Sequence, residues 1–285
     1  MTILRQKMIN AMKLRGFSES TQECYVNAVA GLAKYYNQSP DRIGKEQVQD
    51  YLLHLAEQRK LSWSTCNIVA SALRFFYVQV LADESRKLWI PPRKRQQKLP
   101  MILSRQEMDR LFNAPGNRKH RVLLMTAYAA GLRVSELVHL KVEDIQSGRM
   151  MIRVRQGKGR KDRDTILSPR LLSALRTYWK QYRPPEWLFP GNQTDLPMQR
   201  DTAGRIYTKA KLAAGIRREG GIHTLRHCFA THLLEAGVDL RTIQMLMGHR
   251  SILSTMRYMQ VTSKHLQEVR SPLDLLGLPG SKTEP

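Results

Sequence analysis

Residues 150–167 read MMIRVRQGKGRKDRDTIL, the one stretch of the chain patterned as strands. Met150, Ile152 and Val154 alternate with Met151, Arg153 and Arg155, and farther on Arg163, Thr165 and Leu167 alternate with Asp164 and Ile166. A period of two sends alternate side chains to opposite faces of a sheet. Gly157-Lys158-Gly159 supplies turn chemistry between the two runs, so the stretch is expected to form a β-hairpin with Lys158 at its tip. The spacing on either side is helical, which makes the expected fold class mainly α with one small β-hairpin.

On the C-terminal side of the hairpin, Ser168 and Pro169 open a helix that Pro184-Pro185 closes. On its N-terminal side an apolar helical pattern spans 122–140, and Ser104 with Glu107 has the spacing of a capping box ahead of Met108, Leu111 and Phe112. Residues 86–100 change character: Arg86, Lys87, Arg93, Lys94, Arg95 and Lys98 occur with Pro91, Pro92 and Pro100. Prolines keep such a segment extended and like charges keep it from collapsing, so it is expected to be a linker that follows a phosphate backbone. Residues 1–85 read as a helical bundle. One helix is capped by Ser18 or Ser20 and carries Tyr25, Val29, Leu32 and Tyr36. A second covers about 45–58 with Val48, Leu52 and Leu55, and a third follows Ser62 or Ser64 through Ile68, Leu73, Phe76 and Val80. The expected organisation is therefore a helical domain 1–85, a linker 86–100, a second domain 101–265 and a tail 266–285.

Lysine and arginine number 47 against 24 acidic residues in 285, a formal charge of +23 that calls for a polyanionic partner. No run approaches the ~18 apolar residues of a membrane span, and residues 1–16 lack the apolar core of a signal peptide, so a cytosolic protein is expected. Cys24, Cys66 and Cys228 are widely separated and odd in number; they are expected to be small buried hydrophobes rather than disulfides or metal ligands.

Three further segments could carry chemistry. Arg133 and Glu136 stand three apart in the helical pattern, where the carboxylate could orient the guanidinium, although a surface ion pair has the same spacing. His223-Thr224-Leu225-Arg226 places an imidazole and a guanidinium on one helix face, a pairing suited to a phosphate. His227 and His232 invite a zinc reading, but nothing stands at an HExxH-like position. Gly248 ends a helix begun after Asp239, His249 lies in the bend that follows, Ser251 can start the next helix, and Tyr258 comes nine residues after His249; alone, that tyrosine reads as core. Asp162 and Asp164 read as turn and strand-face residues, not as the clustered carboxylates of a metal-dependent nuclease.

Taken together, the ordered set Arg133, Lys158, His223-x-x-Arg226, Gly248-His249 and Tyr258 closely resembles the tyrosine recombinase, or phage integrase, family. The resemblance covers nearly the whole chain and implies a SAM-like, DNA-clamping core-binding domain followed by a catalytic domain. It implies that Tyr258 is the nucleophile, that Arg133 and Arg226 hold the phosphate, that His223 assists by acid–base exchange, that Lys158 protonates the leaving oxygen, that His249 hydrogen-bonds a non-bridging oxygen, and that Glu136 supports Arg133. Arg93, Lys94 and Arg95 of the linker and Arg155, Arg160 and Lys161 of the hairpin are expected along the DNA. No cofactor, nucleotide or metal is expected, in keeping with the lack of a Walker-type glycine loop. The implied partners are double-stranded DNA at specific sites and three further copies of the chain, joined through residues 266–285, in the bacterial cytoplasm at the nucleoid. The run 255–258 and the tail 269–276 look like integron integrases, but 189–221 is too short for the helical insertion of those enzymes. A type IB topoisomerase and a DNA-binding regulator without chemistry are the competing readings.

Overall fold

The computed structural model describes residues 2–83, 100–155, 162–249, 251–256 and 258–259. The chain divides into two compact units, Met1–Gln96 and Gln97–Pro285.

Among its described residues the only regular elements of the first unit are helices: α1 (Ile3–Leu14), α2 (Glu19–Tyr36), α3 (Lys45–Glu57) and α4 (Trp63–Arg74), the last running on into a π-helical segment, Phe75–Val80. Ser18 and Ser62 cap α2 and α4 by accepting from the backbone N–H of Thr21 and Thr65. Met8, Met12, Leu32, Val48, Leu73 and Phe76 form its core. The expected α4 stripe is displaced at its start: Ile68 is 43% exposed, and the buried positions are Cys66, Ala70 and Leu73. The wider π turn then buries Phe75, Phe76 and Tyr77 in succession, which no regular helical stripe allows.

The second unit runs α5 (Arg105–Asn113), α6 (Arg118–Ala129), α7 (Val134–Val138), a 3-10 turn (Val142–Asp144), β1 (Ile145–Gln146), β2 (Met151–Val154), β3 (Arg163–Ile166), α8 (Pro169–Tyr182), α9 (Arg200–Ala213), α10 (His223–Glu235), α11 (Leu240–Met247) and α12 (Leu253–Met256). The Ser104–Glu107 capping box and the Ser168 cap before Pro169 form as expected. β2 and β3 are the expected antiparallel hairpin strands, with Ile152 opposite Thr165 and Val154 opposite Arg163. A third strand, β1, pairs with β2; its two residues are too few to show a period. The hairpin tip, 156–161, lies outside the described residues. Cys66 and Cys228 are buried, whereas Cys24 is exposed. Among the described residues no helix is long and apolar enough to cross a membrane.

The helix expected over 122–140 is broken. α6 stops at Ala129, Gly131 adopts φ +59°, and Arg133 becomes the N-cap of the short α7. A Cβ on Gly131 would stand 2.3 Å from the Phe229 ring of α10, so only glycine lets the α6 terminus approach α10 so closely. Gly131→Ala is accordingly expected to lower stability by about 3 kcal/mol, from left-handed backbone strain and overpacking together. Thermal unfolding of the two proteins checks this; equal midpoints would contradict it.

Candidate active site

Glu136 organises the site. Its side chain is 5% exposed, and it accepts from the Arg133 backbone N–H at 2.9 Å and from Arg133 Nη1 at 2.6 Å. Arg163, from β3, donates to both carboxylate oxygens at 2.9 and 2.8 Å. Arg226, one turn into α10, approaches to 3.7 Å. The surrounding guanidinium groups outweigh the effect of burial and hold this carboxyl well below its ordinary range, at about 2.

Backbone carbonyls fix the arginines in place. Arg226 donates to Gly131 O and Met247 O, each at 2.5 Å, Arg133 to Gly248 O at 3.3 Å, and Arg163 to Leu246 O at 2.9 Å. The end of α11 thus offers three successive carbonyls to three guanidinium groups. Gly248, at φ +60°, turns the chain there, and a Cβ on it would meet Arg163 at 2.8 Å. Burial, reinforced by the neighbouring Arg133, brings Arg226 down to about 9, so it still carries its charge at neutral pH.

His223 is the first residue of α10 and exposed. Partial desolvation first, then the charges of Arg226 and Arg133, depress its pKa below the usual imidazole range. His249 follows Gly248; its Nδ1 lies 2.8 Å from Thr255 Oγ1, and its carbonyl accepts from Gln244 at 3.0 Å. Tyr258 is 2% exposed and packs with Phe229, Leu234, Ile243 and Met247. Its hydroxyl lies 3.0 Å from Nδ1 of His227, the residue that follows Arg226 on α10.

Arg133, His223, Arg226, His249 and Tyr258, drawn from three separated segments, therefore converge around Glu136 and the end of α11. Lys158, Arg160 and Lys161, and Arg93, Lys94 and Arg95 of the linker, lie outside the described residues, as does the tail 266–285. Arg155 has carboxylate partners, Asp144 at 2.6 Å and Glu143 at 2.9 Å. His232 is taken up by Tyr128 Oη at 2.8 Å and Leu103 O at 3.1 Å, a structural pin between α6, α10 and the start of the unit. Two residues were not anticipated. Arg163 announced itself only as a charge on the core-facing register of its strand, and His227 stood out only as one of two histidines that invited a zinc reading, not as a partner of Tyr258.

Among the described residues, three guanidinium groups surround a single carboxylate, a formal balance of 3 − 1 = +2 in a largely water-excluded setting. Such an excess is stable with an anion nearby, and paired donors in fixed orientation suit a phosphate.

Comparison with known proteins places the chain in a family. Residues 101–265 match the phage integrase family and residues 4–87 the phage integrase N-terminal SAM-like domain. A putative integrase/recombinase, y4qK, of Sinorhizobium fredii is 43% identical over all of this chain and 93% of its own length. Tyrosine recombinase XerA of Thermococcus kodakarensis is 36% identical over 79% of this chain and 81% of its own. The structure of the XerH site-specific recombinase bound to its difH substrate superposes with a TM-score of 0.70 at 22% identity, covering 94% of this chain and 84% of that one.

Proposed function

Because the chain belongs to the phage integrase family and is a tyrosine-type site-specific recombinase, we propose that it cuts and rejoins double-stranded DNA at specific sites through a 3′-phosphotyrosyl bond to Tyr258. The observation that carries this reading is the clustering of Arg133, Arg163 and Arg226 on the one carboxylate of Glu136, with the Tyr258 hydroxyl 3.0 Å from His227, the residue next to Arg226.

In this reading Arg133 and Arg226 hold the two non-bridging oxygens, whose negative charge grows as phosphorus becomes five-coordinate, and so supply the fixed electrostatic complement that stabilises the transition state. His223 adds an imidazole for acid–base exchange, and His249 donates to a non-bridging oxygen. Glu136 keeps both guanidinium groups in register without itself carrying a proton. Lys158 protonates the departing 5′ oxygen. The phosphotyrosyl bond conserves the energy of the cleaved phosphodiester, so a partner strand's 5′ hydroxyl reverses the reaction without nucleotide or metal. Four protomers, linked by 266–285, complete the exchange through a Holliday junction at the nucleoid. Because Tyr258 is 2% exposed, DNA binding has to open a path to the phenol before attack. Arg155, tied to Asp144 and Glu143, contributes field along the DNA more than a free donor.

A duplex carrying the recombination site and a nick just beyond the scissile phosphate tests the reading, since loss of the short product traps the intermediate. A denaturant-resistant protein–DNA adduct is expected, undiminished in excess chelator, with strand exchange between two paired sites. DNA binding with no adduct would favour a regulator, and relaxation of any supercoiled plasmid without exchange a topoisomerase.

A further inference from the structure

Resting on Tyr258 as the nucleophile, we propose that His227 is the group that receives its phenolic proton. A phenol with a reference pKa near ~10 is protonated at neutral pH and has to lose its proton as it attacks. In the DNA-free protein, where Tyr258 is 2% exposed, solvent does not reach the phenol and His227 is its neighbour. His227 Nδ1 lies 3.0 Å from the hydroxyl, within the range for direct transfer.

The position of His227 is fixed by its helix. Cys228, Phe229 and Ala230, the next three residues, are all buried, and His232, one turn on, is held by Tyr128 and Leu103. The phenol is fixed as well: the Tyr258 backbone N–H donates to Thr255 O at 3.0 Å, and its ring lies in the Phe229–Met247 cluster. α10 therefore carries both the phosphate-binding Arg226 and the adjacent proton acceptor, so a single rigid element sets the distance between the two tasks.

With its own hydrogen on Nε2, His227 Nδ1 accepts from the phenol. As the Oη–phosphorus bond forms, the Oη–H bond breaks and its proton passes to Nδ1, giving an imidazolium. The phosphorus–O5′ bond breaks, and the 5′ oxygen leaves with a proton from a separate acid, Lys158 in the reading above. On religation the imidazolium returns its proton to the tyrosine oxygen. His223 then exchanges its proton at the phosphate oxygens rather than at the phenol.

The test is the single-turnover rate of adduct formation on the nicked duplex at saturating protein. His227→Ala is expected to be ~100-fold slower or more and to regain rate when imidazole is added. His227→Gln, which can hydrogen-bond the phenol but not take its proton, is expected to be comparably slow; filling similar space, it carries the test if the alanine variant unfolds. A parental rate in either variant, or a slow His227→Ala that imidazole does not revive, overturns the assignment. Failure here is distinct from failure of the underlying reading: adduct formation would still need Tyr258 while being indifferent to residue 227.

Discussion

Glu136→Ala is expected to destabilise the second unit by about 3–5 kcal/mol and to abolish strand cleavage even where the variant remains folded. The carboxylate is 5% exposed and is engaged by Arg133 and Arg163, with Arg226 close by. Removing it leaves like charges facing one another with little water to screen them, the circumstance in which breaking a buried ion pair costs about 3–5 kcal/mol. Its pKa gives an independent figure: a displacement from 4.5 to about 2 corresponds to ~3 kcal/mol. The sign follows from the direction. A carboxyl whose folded value lies below its unfolded one contributes stability above about 4.5 and loses it as the pH falls toward 2. Denaturant unfolding should therefore show a constant gap between parent and variant from pH 8 to about 5, closing in more acid solution. Coincident curves at pH 7, or a gap that widens in acid, would contradict the role given to Glu136. Cleavage is lost for a geometric reason, because Arg133 and Arg226 no longer share the anchor that aims both at one phosphate.

Most of the architecture was legible in local chemistry. Ser18, Ser62, Ser104 and Ser168 mark helix starts because a hydroxyl satisfies an N–H that the helix cannot, and each does so here. The hairpin was legible because its period is two, and its core face, Ile152, Val154 and Thr165, is buried. The break at Gly131 was not, since a glycine within an apolar helical run is tolerated; what demands glycine is the Phe229 ring, 98 residues later in the chain.

The site divides along the same line. Arg133–Glu136 and His223–Arg226 are neighbours by spacing, so their pairing could be read directly, although the surroundings that turn an ordinary i, i+3 ion pair into a buried anchor could not. Arg163 reaches Glu136 across 27 residues, and the only local hint was a charge facing the core. His227 meets Tyr258 only because the turn at Gly248 folds the chain back against α10. Arg155 was expected to face DNA, and its carboxylate partners 11 and 12 residues upstream stand at a spacing that reveals nothing until β1 and β2 pair.

Tyr258→Phe bears on the chemistry most directly. The substitution keeps the ring that fills the Phe229–Met247 cluster and removes one oxygen, with a lost hydrogen bond worth about 1 kcal/mol, so folding and DNA affinity should stay near the parental level. With no oxygen to attack phosphorus, denaturant-resistant adduct on the nicked site duplex should fall to background, and strand exchange with it. Adduct formation by the phenylalanine variant at the parental level would show that another group makes the covalent bond.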